Sequence, residues 1–264
     1  MQKFNVRGVE IAADVKGNGS ELVVFLHGVG ADRSCWKYQL DFFAAQGFTC
    51  AALDMRGTGD SQARDAGGEV LKIDREEFAK DVDAVIHEMG FTSAHWVGNS
   101  MGGVVILEAI AQAASTIDRI VLSNTFAKHP ESVNILPRPA KALATKSLEQ
   151  FAQDRIPMTL RSDIDKETLH EAIHAMARKD VEAYLATWRA TWSPDRRALL
   201  PSIRQRTLVL GSDKDMITPL PLSEELAEAI PGARLEVIKD AGHIPSLDRP
   251  EIFNQIVLEF LQAK

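Results

Sequence analysis

The 264-residue chain has no long apolar run, no cysteine framework, no excess of basic charge and no internal repeat. No stretch approaches the length of a membrane span, and the opening residues, Met1-Gln2-Lys3-Phe4-Asn5-Val6, lack the apolar core of a signal peptide. The only two cysteines, Cys35 and Cys50, belong to no CxxC and have no nearby histidine pair, so they read as free thiols in a reducing cytosol rather than a staple or a metal site. A net charge of −7 argues against nucleic acid or an anionic membrane as partner, although a few local arginines could still receive an anionic substrate. The expectation is a cytoplasmic monomer or homodimer with no metal and no organic cofactor.

The composition is that of an ordinary folded domain, with 45% hydrophobic and 25% charged residues. Short, continuously apolar runs recur at Leu22–Leu26, Thr49–Leu53, His95–Val97, Ile120–Leu122, Thr207–Leu210 and Leu235–Ile238. Runs of this kind suit strands covered on both faces. Amphipathic helical patterns lie between them, at Arg75–Met89, Met101–Ala114, Pro221–Ala229 and Pro250–Leu261, with Asp248 placed to cap the last. Phe4–Val15, with Gly8 near its middle, predicts an antiparallel hairpin at the sheet edge. The fold class is therefore α/β: a mostly parallel, doubly wound sheet with an N-terminal antiparallel hairpin.

Residues 128–200 break the alternation. Helical patterns at Ser147–Asp154, Lys166–Arg178 and Val181–Trp192, punctuated by prolines, replace the strands. This predicts a core made of residues 1–127 and 201–264, with 128–200 inserted as a helical lid over the carboxyl edge of the sheet, where open α/β sheets bind ligands.

The strongest local signal is Gly98-Asn99-Ser100-Met101-Gly102, a G-x-S-x-G that follows a short strand and opens a helix. A sharp strand-to-helix turn there would hold the Ser100 hydroxyl proud of the sheet. A serine hydroxyl needs an adjacent base, itself oriented by a third group. Of the histidines after Ser100, His129, His170 and His174 fall in the insertion, and only His243, in Ala241-Gly242-His243, follows a core strand. His170 and His174 share a helix face at i, i+4, but no third ligand accompanies them, and they read as surface histidines. Two aspartates, Asp213 and Asp215, compete for the acid in the loop after Thr207–Leu210, while the loop after the preceding strand offers only Asn124. The loop His27-Gly28-Val29-Gly30 follows the first core strand. The backbone N–H of Val29 there is expected to pair with that of Met101 as an oxyanion hole, leaving His27 structural.

With these residues in place the chain resembles the α/β-hydrolase superfamily, and within it the 3-oxoadipate enol-lactonase and carboxylesterase group. The resemblance rests on His27-Gly28-Val29-Gly30, Leu53 to Ser61, Gly98 to Gly103, Val121 to Thr125, Gly211 to Pro219 and Ala241-Gly242-His243. It implies a serine esterase or lactonase with Ser100 as nucleophile and His243 as base. It also favours Asp215, the first residue of D-x-x-T-P, as acid. Asn99 before the nucleophile is shared with the hydrolases that cleave C–C bonds in dienoates, whereas Ile244 stands where those enzymes carry Trp, so a C–C hydrolase remains the alternative. A receptor of the same fold that senses a small molecule with little turnover is another. Candidate substrate contacts are Trp36, Phe126, Trp188, Trp192, Met216 and Ile244, and they suggest a small, apolar or aromatic-derived acyl substrate.

Overall fold

The structure, a computed structural model, describes residues 1–263. Eight strands form one sheet: β1 (Gln2–Val6), β2 (Val9–Lys16), β3 (Leu22–Leu26), β4 (Thr49–Leu53), β5 (Ala94–Asn99), β6 (Ile117–Ser123), β7 (Arg206–Ser212) and β8 (Arg234–Ile238). Their order is β1-β2-β4-β3-β5-β6-β7-β8. β1 pairs with β2, and β2 with β4, antiparallel; every other pairing is parallel. The β1–β2 hairpin turns on Arg7 and Gly8, both at positive φ (53° and 76°), as a two-residue turn of matching twist requires.

Strands β3 and β4 are buried along their whole length on both faces, which is why they read as unbroken apolar runs, whereas the edge strand β8 buries only Ile238. In β3, Val23 and Phe25 enter a core with Trp36, Phe43 and Phe253, while Leu22, Val24 and Leu26 enter the opposite core with Phe78, Val82 and Val105. The helices are, in chain order, α1 (Lys37–Ala45), α2 (Arg75–Glu88) and α3 (Met101–Ala111), then α4 (Ser132–Ile135), α5 (Arg138–Leu143), α6 (Leu148–Arg155), α7 (Lys166–Ala177) and α8 (Val181–Trp192) between β6 and β7, and finally α9 (Leu220–Ala229), α10 (Pro245–Asp248) and α11 (Pro250–Gln262).

Capping residues set several helix starts. Asp74 accepts from Glu77 N at 2.8 Å, Asp165 from Thr168 N at 2.8 Å and Asp180 from Ala183 N at 3.0 Å, while Ser147 and Gln150 form a reciprocal capping box. The expected cap of α11 is a correction. Arg249 occupies that position without a side-chain bond, and the buried Asp248 carboxylate instead accepts from Gly242 N (2.7 Å) and Arg161 N (3.0 Å). Helix α1 has no counterpart among the helical patterns read from the sequence.

The chain runs from β3 outward to β4, then crosses back to β5 on the other side of β3. The loops leaving the carboxyl ends of β3 and β5 therefore part from each other, which opens a crevice at the strand-order reversal. Between β6 and β7 the chain is helical, with no strand among residues 128–200. No described helix is long and apolar enough to cross a membrane.

Candidate active site

Ser100 stands between β5 and α3 with φ 53° and ψ −112°, a conformation that costs a non-glycine residue about 1–3 kcal/mol. Two neighbouring glycines make the turn sterically possible. A Cβ on Gly98 would come within 2.4 Å of Gly102 C, and one on Gly102 within 2.2 Å of Leu26 O. The backbone is pinned on both sides, because Ser100 N donates to Ser123 O (2.9 Å) and Thr125 Oγ1 donates to Ser100 O (2.6 Å). Ser100 is 1% exposed, and its Oγ has no hydrogen-bond partner.

His243 and Asp215 reach the same point from the loops after β8 and β7. His243 Nδ1 lies 2.9 Å from Asp215 Oδ2. That oxygen also accepts from Thr218 Oγ1 and from Asn124 Nδ2, each at 2.7 Å, and Oδ1 accepts from Ile217 N (2.7 Å) and Thr218 N (2.9 Å). Burial pushes the Asp215 carboxyl up, but the His243 charge and these hydrogen bonds outweigh it and hold the pKa down to about 2. Asp215 is therefore an anion across the whole neutral range. Asp213, the competing aspartate, is exposed and makes no side-chain hydrogen bond. The His243 loop is fixed by its own backbone: His243 N donates to Thr159 O (2.8 Å), and Asn99 Nδ2 donates to His243 O (3.0 Å).

The loop after β3 makes a tight turn. Ala31 N donates to Gly28 O at 3.1 Å, and Gly30 takes φ 90° at the third position, as a type II turn requires. Val29 occupies the corner. Neither its N–H nor that of Met101, at the start of α3, is bonded to another described residue. Gly28 adjoins the elbow so closely that a Cβ there would meet Ser100 Cβ at 3.2 Å. His27 is fully buried; its Nε2 accepts from Met55 N (3.1 Å), so Nδ1 carries the proton and donates to Gly28 O (2.9 Å). Burial drives its pKa to about 4, and the ring stays neutral as a backbone brace.

A pocket opens against the Gly28–Val29 turn, Asn99 and His243. Its core-side walls include Gly28, Val29, Asn99, His243 and Ile244, and its other wall comes from the insertion through Arg155, Ile156, Thr159, Thr168 and Ala175. Of the aromatic residues anticipated as contacts, none lines this pocket. Trp36 is wholly buried between Phe25 and Phe253, with ring centroids 5.3 and 5.9 Å away, and Phe126 stacks on Trp192 at 5.2 Å. Trp188, Trp192 and Met216 border a neighbouring cavity with His129 and Arg138. His170 and His174 are exposed, and among the described residues no group of three or more His, Cys, Asp or Glu could hold a metal ion. Cys35 and Cys50 are free, buried thiols.

Two site residues take roles that the sequence reading did not give them, and a third is picked out from among several candidate arginines. Thr218 and Asn124 tie down the Asp215 carboxylate; the D-x-x-T spacing, which lets the threonine bond back to the aspartate, was a usable signal for the first. Arg155 borders both cavities, lies 4.6 Å over the Trp188 ring and makes no hydrogen bond or ion pair from its guanidinium to any described residue. From the sequence, Arg138, Arg155, Arg161 and Arg189 are alike candidate partners for a substrate carboxylate; what separates Arg155 is its place over Trp188 and at both cavities, which only the tertiary structure gives.

Residues 23–256 match the model of the alpha/beta hydrolase family, and the chain belongs to that family. Among solved structures it is similar to the enol-lactonase from Burkholderia xenovorans LB400, with a TM-score of 0.90 and 26% identity over 99% of this chain and 100% of that one. A thermophilic esterase from Thermogutta terrifontis gives 0.87 and 26% over 99% and 97%. A 2-hydroxy-6-oxononadienedioate/2-hydroxy-6-oxononatrienedioate hydrolase from a Pseudomonas species is 26% identical over 263 residues, covering 93% of this chain and 89% of the relative.

Proposed function

We propose that this chain is a serine hydrolase that cleaves a small carboxylic ester or (enol-)lactone through an acyl-enzyme, beneath a cap made of residues 128–200. The observation that carries the reading is the 2.9 Å contact of His243 Nδ1 with Asp215 Oδ2, in a loop tied to Asn99, the neighbour of the buried Ser100 on its strained elbow. With Nδ1–H directed at Asp215, Nε2 is left unprotonated to accept the Ser100 proton. Ser100 Oγ then attacks the carbonyl carbon, and the resulting oxyanion is met by the free N–H groups of Val29 and Met101, which require no reorganisation. His243 returns the proton to the departing alcohol, or to the ring oxygen of a lactone. It next takes a proton from water, which attacks the acyl-enzyme, and passes that proton to Ser100 Oγ as the bond to the acyl group breaks and the acid leaves. The missing Ser100–His243 hydrogen bond fits a resting state, in which such bonds are often long until substrate arrives.

The Arg155 guanidinium narrows the substrate. A cation at a cavity wall, held by an aromatic face and no carboxylate, calls for an anion from outside. The favoured substrate is an apolar body with a carboxylate remote from the scissile bond.

Steady-state hydrolysis of short p-nitrophenyl esters and of an enol-lactone, with Ser100→Ala beside the native chain, tests the reading. Many turnovers by the native chain and none by the variant support it. A single product per protein favours a receptor, and turnover of dienoates alone favours the C–C hydrolase.

A further inference from the structure

The three residues that join α7 to α8 grip the core. Arg178 reaches Asp32 Oδ2 (2.8 Å) and Asp60 Oδ1 (3.1 Å), Asp180 Oδ2 accepts from Arg64 Nε (2.8 Å), and between them Lys179 Nζ donates to Ala31 O at 2.7 Å. The first and last are ordinary charge pairs. Lys179 is not: it is 9% exposed, and its ammonium makes one hydrogen bond, to a neutral backbone carbonyl.

A buried ammonium with a single acceptor is a poor way to hold two elements together. An apolar side chain of the same length would fill the space without desolvating a charge. What it holds is specific, however. Ala31 closes the turn that begins at Gly28, and Val29, whose N–H is free, forms the corner of that turn. Met176, one helical turn before Lys179, supports the same segment: its sulfur lies 3.4 Å from where a Cβ of Gly30 would stand. Asp32, next in the chain, is held by Arg178 and caps the following turn by accepting from Ser34 N at 3.0 Å.

We infer that Lys179 is a positioning residue of the reaction: through the Ala31 carbonyl it sets the Gly28–Ala31 turn so that the Val29 N–H meets the oxyanion. The inference rests on the serine-hydrolase reading above. It makes the insertion part of the catalytic apparatus, because movement of the α7–α8 junction would move an oxyanion donor. The charged and titratable groups around the ammonium are Asp32, Asp54, Arg178, Cys35 and His27. Burial lowers the Lys179 pKa to about 8, with the two aspartates opposing the shift. Deprotonation exchanges a charge-assisted bond to Ala31 for a weaker neutral one. The hold on the turn therefore loosens as pH rises through about 8.

The test compares native chain, Lys179→Met and Lys179→Arg. In Lys179→Met, kcat is expected to fall about 10- to 100-fold with KM changed less than about threefold, since a donor displaced by an ångström costs about two orders of magnitude. Affinity for a trifluoromethyl ketone, which forms the oxyanion on Ser100, should fall in step with kcat/KM, while inhibition by the product acid does not. Lys179→Arg, which keeps a donor, should recover most of the loss. The native kcat should decline above about pH 8, and that limb should vanish in Lys179→Met. An unchanged kcat, or equal losses for ketone and product acid, overturns the inference. Hydrogen exchange of the peptide spanning residues 27–33 reads the same hold without any turnover. If the native chain hydrolyses no ester, the serine-hydrolase reading fails, and faster exchange in Lys179→Met still supports the clamp, whereas unchanged exchange rejects it.

Discussion

Replacing Asp215 with Asn changes almost no volume but turns an acceptor of three hydrogen bonds into a donor. The oxygen of the new amide can keep the two backbone donors, Ile217 N and Thr218 N, that now bind Oδ1. Its nitrogen then stands where Oδ2 accepts from Asn124, Thr218 and His243. Thr218 Oγ1 can turn and accept, but the Asn124 amide is left donor against donor. His243 can keep a bond only by accepting at Nδ1, which moves its proton to Nε2 and removes the base facing Ser100. The same substitution in serine proteases lowers kcat by about 10⁴ through this tautomer change, equivalent to about 5.5 kcal/mol of barrier. KM should hardly move, because Asp215 lines neither wall of the pocket. The stranded Asn124 donor should cost about 1–3 kcal/mol of stability. Stopped-flow and steady-state hydrolysis of one p-nitrophenyl ester, with thermal melting to show that the variant is folded, provides the assay. Asp213→Asn, on an exposed residue of the same loop, is the control and should stay near native. A folded Asp215→Asn protein within tenfold of native kcat would refute the reasoning.

Arg155→Met should lower the ratio of kcat/KM for p-nitrophenyl hemisuccinate over its methyl ester by about 10- to 100-fold, as the loss of one charge-assisted pair implies. An unchanged ratio there, and with 4-acetoxybenzoate against its methyl ester, would remove the anionic end from the proposed substrate. Gly102→Ala sets a methyl 2.2 Å from Leu26 O, a clash with backbone that cannot relax by rotamer change. It should destabilise by at least about 2–3 kcal/mol, which denaturant unfolding would measure; native-like stability would mean that the elbow is looser than its geometry.

The parallel core was legible because double-sided burial leaves a plain signature: Leu22–Leu26 and Thr49–Leu53 begin and end in the structure where their apolar runs do. Helix Val181–Trp192 was likewise visible in full, with Asp180 as its cap. Helix α1 was not, since its Lys37–Ala45 segment follows a turn capped by Asp32 and carries a weak apolar stripe of Leu40 and Phe43. Motif order brought attention to Ser100, Asp215 and His243, and the fold gathers their loops at one sheet edge. The partners that act on them were hidden for a physical reason. Thr218, Asn124 and Lys179 matter through contacts across 3, 91 and 148 positions of chain, and only the first distance lies within reach of a sequence pattern. Trp36 misled for a related reason: it carries the same apolar signature whether it faces a ligand or a core.

The central claim is that Ser100 is a nucleophile activated by His243. The most direct measurement is intact-protein and peptide mass spectrometry after treatment with a fluorophosphonate, which labels only an activated serine. The account predicts one adduct per chain, located on Ser100, absent in Ser100→Ala and strongly slowed in His243→Ala. No adduct on the native chain, or an adduct that persists in Ser100→Ala, would contradict it.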